Sequence, residues 1–393
     1  MIIKSLLDND QYKATMQQFV LHRFPDANVE YDLQVRSKGV SLAPFVEEIR
    51  EEINALEGLH LTLTEEEFLR EKCPYLTPDY IKWLANRFRF NTRNDVYCGL
   101  NRDGEFYLTI KGKWLDTILY EVPILAIISE IWHRPGNQQL VKQDFVSIEE
   151  KIDMIVNEAP EMQILEFGTR RRNSFEEQLR VITKMQKCIP NVLKATSNMH
   201  IARILGLTPG GTMAHEMFQC AQALYPLTTH HYDLMADWYD EFYPRLQCAL
   251  SDTLGHKYFL TTFTRGLANL YDGTRQDSGN PYDYAEAILQ YYRDFGIDSK
   301  TKYVVFSDSL DIPKAVKLHN VYKDRIGVKF GIGTNLTNDC GAVPISMVIK
   351  VQMCNNVPVV KISDSSGKTM CRDKNYMEFM KEFVRKEVNN GCK

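Results

Sequence analysis

The chain has no long apolar run, no excess of either charge and no paired cysteine motif. Its longest uninterrupted apolar stretch, Val122 to Ile128, falls far short of the ~20 residues that cross a bilayer. Lys and Arg number 47 against 51 Asp and Glu, a formal net charge of −4, so the basic footprint of a nucleic-acid binder is missing. The nine cysteines (Cys73, Cys98, Cys188, Cys220, Cys248, Cys340, Cys354, Cys371 and Cys392) include no Cys-x-x-Cys pair. No histidine stands near them at metal spacing, so they read as free buried thiols in a reducing compartment. Met1 to Asp8 lacks the apolar region and cleavage site of a signal peptide, and the chain is expected in the cytoplasm. There is no internal repeat and no Gly-Lys-Ser/Thr phosphate loop.

What is there is 393 residues, 44% hydrophobic and 25% charged. That suffices for two cores, or for one barrel with an appended domain. Leu6 to Phe24 carries a helix-period apolar set that puts Tyr12 near a helix start, either as a contact residue or packed on its own domain. Val29, Tyr31, Leu33 and Val35 alternate as in a half-buried strand. Thr64 with Glu67 predicts a capping box, and Thr77-Pro78 opens another helix. Asp103-Gly104 punctuates a hairpin, and Glu121 to His133 is an apolar helix running to a Pro135-Gly136 break. Residues 1–135 therefore read as an α+β domain, with the boundary at that break.

Beyond it the pattern changes to strand, loop and helix units. Strands are expected at Ile164–Gly168, Val192–Ser197, Tyr258–Thr261, Tyr303–Asp308 and Val328–Thr334, with Gly273–Gly279 as a loop. Such alternation argues for a parallel sheet covered on both faces, a barrel or an open doubly wound sheet, whose polar residues just after the strands line the functional face. Residues 136–344 form this part. Ile345 to Ser363 returns to hairpin character around Cys354-Asn355-Asn356 and is expected, with the tail to Lys393, to complete the first domain.

The polar strand ends carry the candidate chemistry. Thr208-Pro-Gly-Gly-Thr212 breaks the chain before a helix, with Thr212 a good N-cap and His215 near the third helical position. There the helix dipole favours a neutral imidazole beside anion-binding amides, one way to build an acceptor for phosphoryl transfer. A histidine at a helix start is otherwise a capped or solvated residue, and its company decides. Gly331, Gly333 and Thr334 can present consecutive amides to a phosphate. Arg170-Arg171-Arg172 is a solvated run unless one guanidinium turns into the mouth and clamps a carboxylate or phosphate. Arg275 and Asp277 form a structural ion pair, or bind phosphate and sugar hydroxyls respectively. Asp308 ends an apolar strand and could do the same work or hold Mg²⁺ through water.

These segments, in this order, resemble the bacterial nicotinate phosphoribosyltransferase family: Leu6-Leu7-Asp8-x-Asp10-x-Tyr12-Lys13, Glu121-Val122-Pro123 through Ser129-Glu130, Phe167 to Arg172, Thr196-Ser197-Asn198, Gly211-Thr212-x-Ala214-His215-Glu216, Arg275-x-Asp277-Ser278-Gly279-x-Pro281, Phe306-Ser307-Asp308, and Phe330 to Thr334. The resemblance implies an irregular α/β barrel of the type II phosphoribosyltransferases with an additional α+β domain. It implies ATP-dependent synthesis of nicotinate mononucleotide from nicotinate and 5-phosphoribosyl 1-pyrophosphate with Mg²⁺, the first step of NAD salvage from nicotinate. Nicotinate would lie between Phe167 and Tyr12, the latter given by the neighbouring subunit of a homodimer, with its carboxylate on Arg170 and with Thr196 and Ser197 lining the site. The related nicotinamide enzymes have an Asp at the position of Ser197, which would repel a carboxylate, while a neutral Ser can donate to it, so nicotinate is the expected substrate. Arg275, Asp277 and Asp308 would face the phosphoribosyl substrate, Gly331 to Thr334 its 5-phosphate, and His215 would be the phosphorylated histidine through which ATP hydrolysis is coupled. The rival readings are a nicotinamide or quinolinate enzyme of the same superfamily, and a non-catalytic barrel that senses a phosphorylated metabolite.

Overall fold

A computed structural model of the chain describes residues 1–137, 145–365 and 369–391, so Cys392 lies outside the described residues. The eight described cysteines are free thiols. The chain falls into two compact units, residues 1–211 with 332–350, and residues 212–331 with 351–393.

In the first unit the helix Gln11–Arg23 starts from an extended Asp10 and ends on His22 and Arg23, cations that suit the carbonyl end of a helix dipole. Strands β1 (Asn28–Val35), β2 (Val96–Leu100) and β3 (Phe106–Lys113) form an antiparallel array with β3 in the middle. Tyr31 pairs with Ile110 and both are buried. The expected capping box sits two residues earlier than the sequence suggested. Thr62, not Thr64, accepts from Glu65 N–H at 3.4 Å while the Glu65 carboxylate takes Thr62 N–H at 2.9 Å, opening the helix Leu63–Lys72. Thr-x-x-Glu occurs twice in this stretch, and only the first copy makes both reciprocal bonds. The apolar helix Glu121–His133 is almost wholly buried, and β4 (Ile164–Glu166) pairs in parallel with β5 (Leu193–Thr196).

The second unit is a run of parallel strands with helices between them: β6 (Cys248–Leu250), β7 (Gly273–Gln276), β8 (Tyr303–Phe306) and β9 (Gly327–Ile332, its last residue in the first unit). Gly273–Gln276, expected as a loop, is an inner strand. Its polar side chains hid it, yet its neighbours β6 and β8 satisfy its backbone groups on both sides. Gly273 is needed there because a Cβ would come within 2.5 Å of the ring and carbonyl of its partner Tyr303. The strand expected at Tyr258–Thr261 is instead the helix His256–Thr262; the strand of that unit is the three-residue β6. A short apolar run does not separate strand from buried helix by period. Phe306 and Phe330, adjacent on β8 and β9, stack at 6.0 Å between ring centroids and are fully buried, each contributing ~1.5–3 kcal/mol. The register aligns the C-terminal ends of β6, β7 and β8, so Ser251-Asp252, Asp277-Ser278 and Ser307-Asp308 emerge side by side.

β10 (Met347–Cys354) turns through Asn355 and Asn356, at φ of 48° and 62°, into β11 (Val357–Pro358). Two residues of positive φ are what a tight hairpin demands, and asparagine tolerates them. The helix Lys374–Gly391 then packs Met380 against Leu254, Tyr258 and Val360. These are parallel βα units with an additional α+β part, the class that the sequence implied. Among the described residues no helix is long and apolar enough to cross a membrane.

Candidate active site

In the second unit the strand ends converge on His215. The histidine is the first residue of the helix His215–Leu224, with Ala214 as N-cap, rather than near its third position. Thr212 does not cap because its hydroxyl accepts from Arg275 Nη1 at 2.9 Å and donates to Met213 O at 3.2 Å. The imidazole Nε2 lies 2.9 Å from Asp252 Oδ1, 2.7 Å from Lys361 Nζ and 3.8 Å from Asp277 Oδ2. Lys361 also donates to Asp252 Oδ2 at 2.9 Å, and Ser278 Oγ donates to the same oxygen at 2.6 Å. Asp277 pairs with Arg275 at 3.2 Å and accepts from Ser307 Oγ at 2.8 Å; Arg275 Nε donates to that hydroxyl.

Two carboxylates and two fixed cations thus balance around one imidazole. Burial pushes the Asp252 carboxyl up, but the charges of His215 and Lys361 outweigh it and hold the group well below the usual carboxylate range. Asp277 is likewise pushed up by burial and drawn down further by Arg275 and His215, so both are anions. A ring nitrogen carries either a hydrogen or a lone pair. With a hydrogen Nε2 donates to Asp252; without one it accepts from Lys361. Either state of that nitrogen therefore finds a partner without the imidazole moving.

His215, Asp252 and Asp277 bring three ligand atoms within 4.8 Å of one another. The space is nonetheless one for a built-in cation: the Lys361 ammonium already touches two of the three residues. A hard divalent ion prefers an all-oxygen shell, and these residues do not fit a resident Mg²⁺. Asp308 stands outside the three-residue group; its carboxylate accepts from Ser309 Oγ at 3.0 Å.

The first unit holds the other candidates. Lys13, fully buried, pairs with Glu121 at 2.7 Å, and Glu121 with Arg170 at 2.9 Å. Burial raises the Glu121 carboxyl, but Lys13 and Arg170 overcome it and bring it down to about 2. Tyr12 lies close enough to Glu121 and Arg170 to feel both charges; burial, then the Glu121 charge, raises its phenol, which stays neutral. The three arginines separate. Arg170 keeps its side chain 38% exposed, Arg171 donates to Met347 O, and Arg172 is sealed in a pairing with Asp8 (2.7 and 2.9 Å) and Glu130 (2.6 Å). Arg36 stands near enough to Arg170 that, after burial, that charge lowers its own basicity, and its Nη2 is buried with no hydrogen-bond partner among the described residues. Two neighbouring guanidiniums with an unmet donor suit an anion.

Ser197 Oγ donates to Asp10 at 2.7 Å, so the hydroxyl expected to face a substrate carboxylate has an acceptor of its own. Thr196 Oγ1 donates to Glu166 at 2.6 Å. Gly333 follows β9 and is required by a close approach: a Cβ would lie 2.7 Å from Phe167 O. Gly331 is buried within β9 and Thr334 opens the short helix Thr334–Thr337.

Sequence reasoning missed Asp252, Lys361, Glu121, Asp10 and Arg36 as site residues. Asp252 follows the strand that was not seen, and Lys361 was visible only as a lone charge directly after the fully buried Val359 and Val360.

The nicotinate phosphoribosyltransferase (NAPRTase) family matches residues 162–391, and the NAPRTase N-terminal domain residues 7–129. The chain is 41% identical over 392 residues to the nicotinate phosphoribosyltransferase of Ectopseudomonas mendocina, covering 98% of this chain and 97% of that one. It is 41% identical over 388 residues to nicotinate phosphoribosyltransferase 1 of Pseudomonas aeruginosa, covering 97% and 96%. Among solved structures it is similar to the nicotinate phosphoribosyltransferases of Vibrio cholerae (TM-score 0.91, 35% identity, 98% and 94% covered) and Porphyromonas gingivalis (TM-score 0.91, 32% identity, 98% and 100% covered). With both family regions matched and relatives of this identity aligned almost end to end, the chain belongs to the nicotinate phosphoribosyltransferase family of enzymes.

Proposed function

We propose that the chain joins nicotinate to 5-phosphoribosyl 1-pyrophosphate, forming nicotinate mononucleotide and pyrophosphate in the cytoplasm, and that it couples the synthesis to conversion of ATP to ADP and phosphate through His215. The observation that carries this reading is the His215–Asp252–Lys361 contact beside Arg275 and Asp277, in a member of this family. An imidazole held between a carboxylate and an ammonium is poised to accept a phosphoryl group, the ammonium and Arg275 offsetting the incoming charge.

In this reading Arg170 takes the nicotinate carboxylate, with Arg36 adding a second guanidinium, while Phe167 and Tyr12 flank the ring. Ser197 contributes by being uncharged, its hydroxyl already spent on Asp10. Arg275 and Asp277 serve the phosphoribosyl substrate and Gly331 to Thr334 its 5-phosphate. The pyridine nitrogen attacks the anomeric carbon as the bond from that carbon to the pyrophosphate oxygen breaks, through an oxocarbenium-like state, and pyrophosphate leaves intact. Mg²⁺ arrives on the substrate phosphates, where it keeps most of its waters. The reading includes a homodimer: Tyr12→Ala and Arg170→Ala chains regain activity on mixing if Tyr12 serves the neighbouring copy, and stay inactive if it serves its own.

The test is incubation with γ-labelled ATP, Mg²⁺ and both substrates. Mononucleotide, with acid-labile label on His215 that the substrates discharge, is the expected result. Mononucleotide without label, or ATP stimulation that survives His215→Ala, removes the coupling. Neither product nor label removes the enzyme reading.

A further inference from the structure

The first unit holds a carboxylate that the proposed reaction does not use. Glu166 ends β4 and has no exposed surface. Its Oε1 accepts from Gly168 N–H at 2.5 Å and its Oε2 from Thr196 Oγ1 at 2.6 Å, while Gln178 Nε2 donates to both at 3.1 and 3.2 Å. Its main-chain carbonyl takes Ser197 N–H at 2.8 Å. Every partner is neutral, and among the described residues Glu166 forms no salt bridge. An ion pair cannot be its purpose. What the side chain joins is the turn that runs from Phe167 through Gly168 to Arg170 and the end of β5 that carries Thr196 and Ser197.

We infer that Glu166 is a positioning residue for the pyridine carboxylate site, clipping the Phe167–Arg170 turn to the Ser197 strand end. The inference rests on the proposed function and deepens it. The clip does not need a charge. With a proton on Oε2 the bond to Thr196 reverses, the carboxylic acid donating and the hydroxyl accepting, while Gly168 N–H and Gln178 still reach Oε1. Burial, with a smaller push from the nearby Asp10 charge, raises this carboxyl to about 7 against the bonds from Thr196, Gly168 and Gln178, which favour the anion. On the helix side Arg172 reaches only as far as Gln178, at 3.5 Å, and on the β5 side the partner is the Thr196 hydroxyl. A neutral side chain of the same shape therefore does the same work.

The experiment is steady-state kinetics of the full chain with each substrate varied in turn. Glu166→Ala is expected to raise KM for nicotinate about tenfold or more, since it leaves Gly168 N–H and Thr196 without their acceptor. KM for phosphoribosyl pyrophosphate should stay within about twofold, and Glu166→Gln should keep the wild-type KM for nicotinate, a pattern that a merely structural loss would not give. Glu166→Ala raising both KM values alike, or neither, overturns the inference, as does Glu166→Gln behaving like Glu166→Ala. If Glu166→Ala fails to fold by circular dichroism, Glu166→Asp replaces it: one methylene shorter, it should raise the nicotinate KM where Gln does not, and equal values for the two overturn the clip. A wild-type chain that forms no mononucleotide at all overturns the proposed function first, which separates the two failures.

Discussion

Lys361 Nζ stands 2.7 Å from His215 Nε2 and 2.9 Å from Oδ2 of Asp252, the residue whose other oxygen faces the same imidazole. A lysine 3% exposed thus closes a three-membered ring of acid, base and ammonium.

Replacing it by methionine leaves Asp252 buried with only the imidazole and Ser278. Lys361→Met is expected to cut acid-labile phosphate on His215 by about tenfold or more, and to cost ~3–5 kcal/mol of stability as a broken buried pair does. Label yield after a timed pulse and a urea unfolding curve measure the two. Full labelling of a stable Lys361→Met protein would remove the lysine from the phosphoryl step.

Arg170 and Arg172, two positions apart, should fail in different ways. Arg172→Met strips a sealed site holding Asp8 and Glu130 and should lower stability by ~3–5 kcal/mol. Arg170→Ala, which leaves Glu121 its pairing with the buried Lys13, should cost less stability than Arg172→Met yet raise KM for nicotinate by about a hundredfold, the worth of a charge-assisted bidentate contact. Swapped phenotypes would refute the division of labour.

Ser197→Asp brings a second carboxylate against Asp10, which the wild-type hydroxyl reaches at 2.7 Å. Nicotinate binding should weaken by about tenfold or more, and more at pH 8 than at pH 6 as the added acid ionises. Competition binding with labelled nicotinate reads this directly. Equal affinity at both pH values would exclude charge at this position as the basis of substrate choice.

Glu121 gives a pH signature. Its carboxyl is held at about 2 in the folded chain against an ordinary value near 4.3. A depressed acid stabilises the fold fully above its unfolded value and loses that contribution as pH falls through the folded one. The wild-type advantage over Glu121→Gln should therefore be about 3 kcal/mol at neutral pH, shrink below about pH 4.5 and vanish near pH 2. Urea midpoints of both proteins along that range test it. A constant difference would contradict the pairing with Lys13 and Arg170.

Much of this site was legible because chemistry follows strand ends. Phe167 to Arg172 and Ser307-Asp308 come directly after short apolar strands, and the Pro-Gly-Gly break announces the helix of His215. What escaped was of two kinds. Gly273–Gln276 is polar although internal, and Cys248–Leu250 is too short for any period to register. The partners were hidden by distance along the chain: Lys361 is 146 positions from His215 and 109 from Asp252. Local periodicity carries no information on such pairings. Glu166 was read only as a strand residue, because nothing in its neighbours says that an acid there is sealed. Thr212 misled for a related reason, since its hydroxyl answers to Arg275, 63 positions away.

Tyr303 lies at the other end of these strands from Arg275 and Asp277. Gly273 presses against it without room for a methyl group, and the Lys329 ammonium sits 3.7 Å from its ring centroid. That fixed floor separates two kinds of evolutionary freedom. Loops at the Asp277 end can be exchanged to retune what is bound, while the base of the sheet accepts almost no change. Selection for a changed substrate should leave Gly273, Tyr303 and Lys329 untouched.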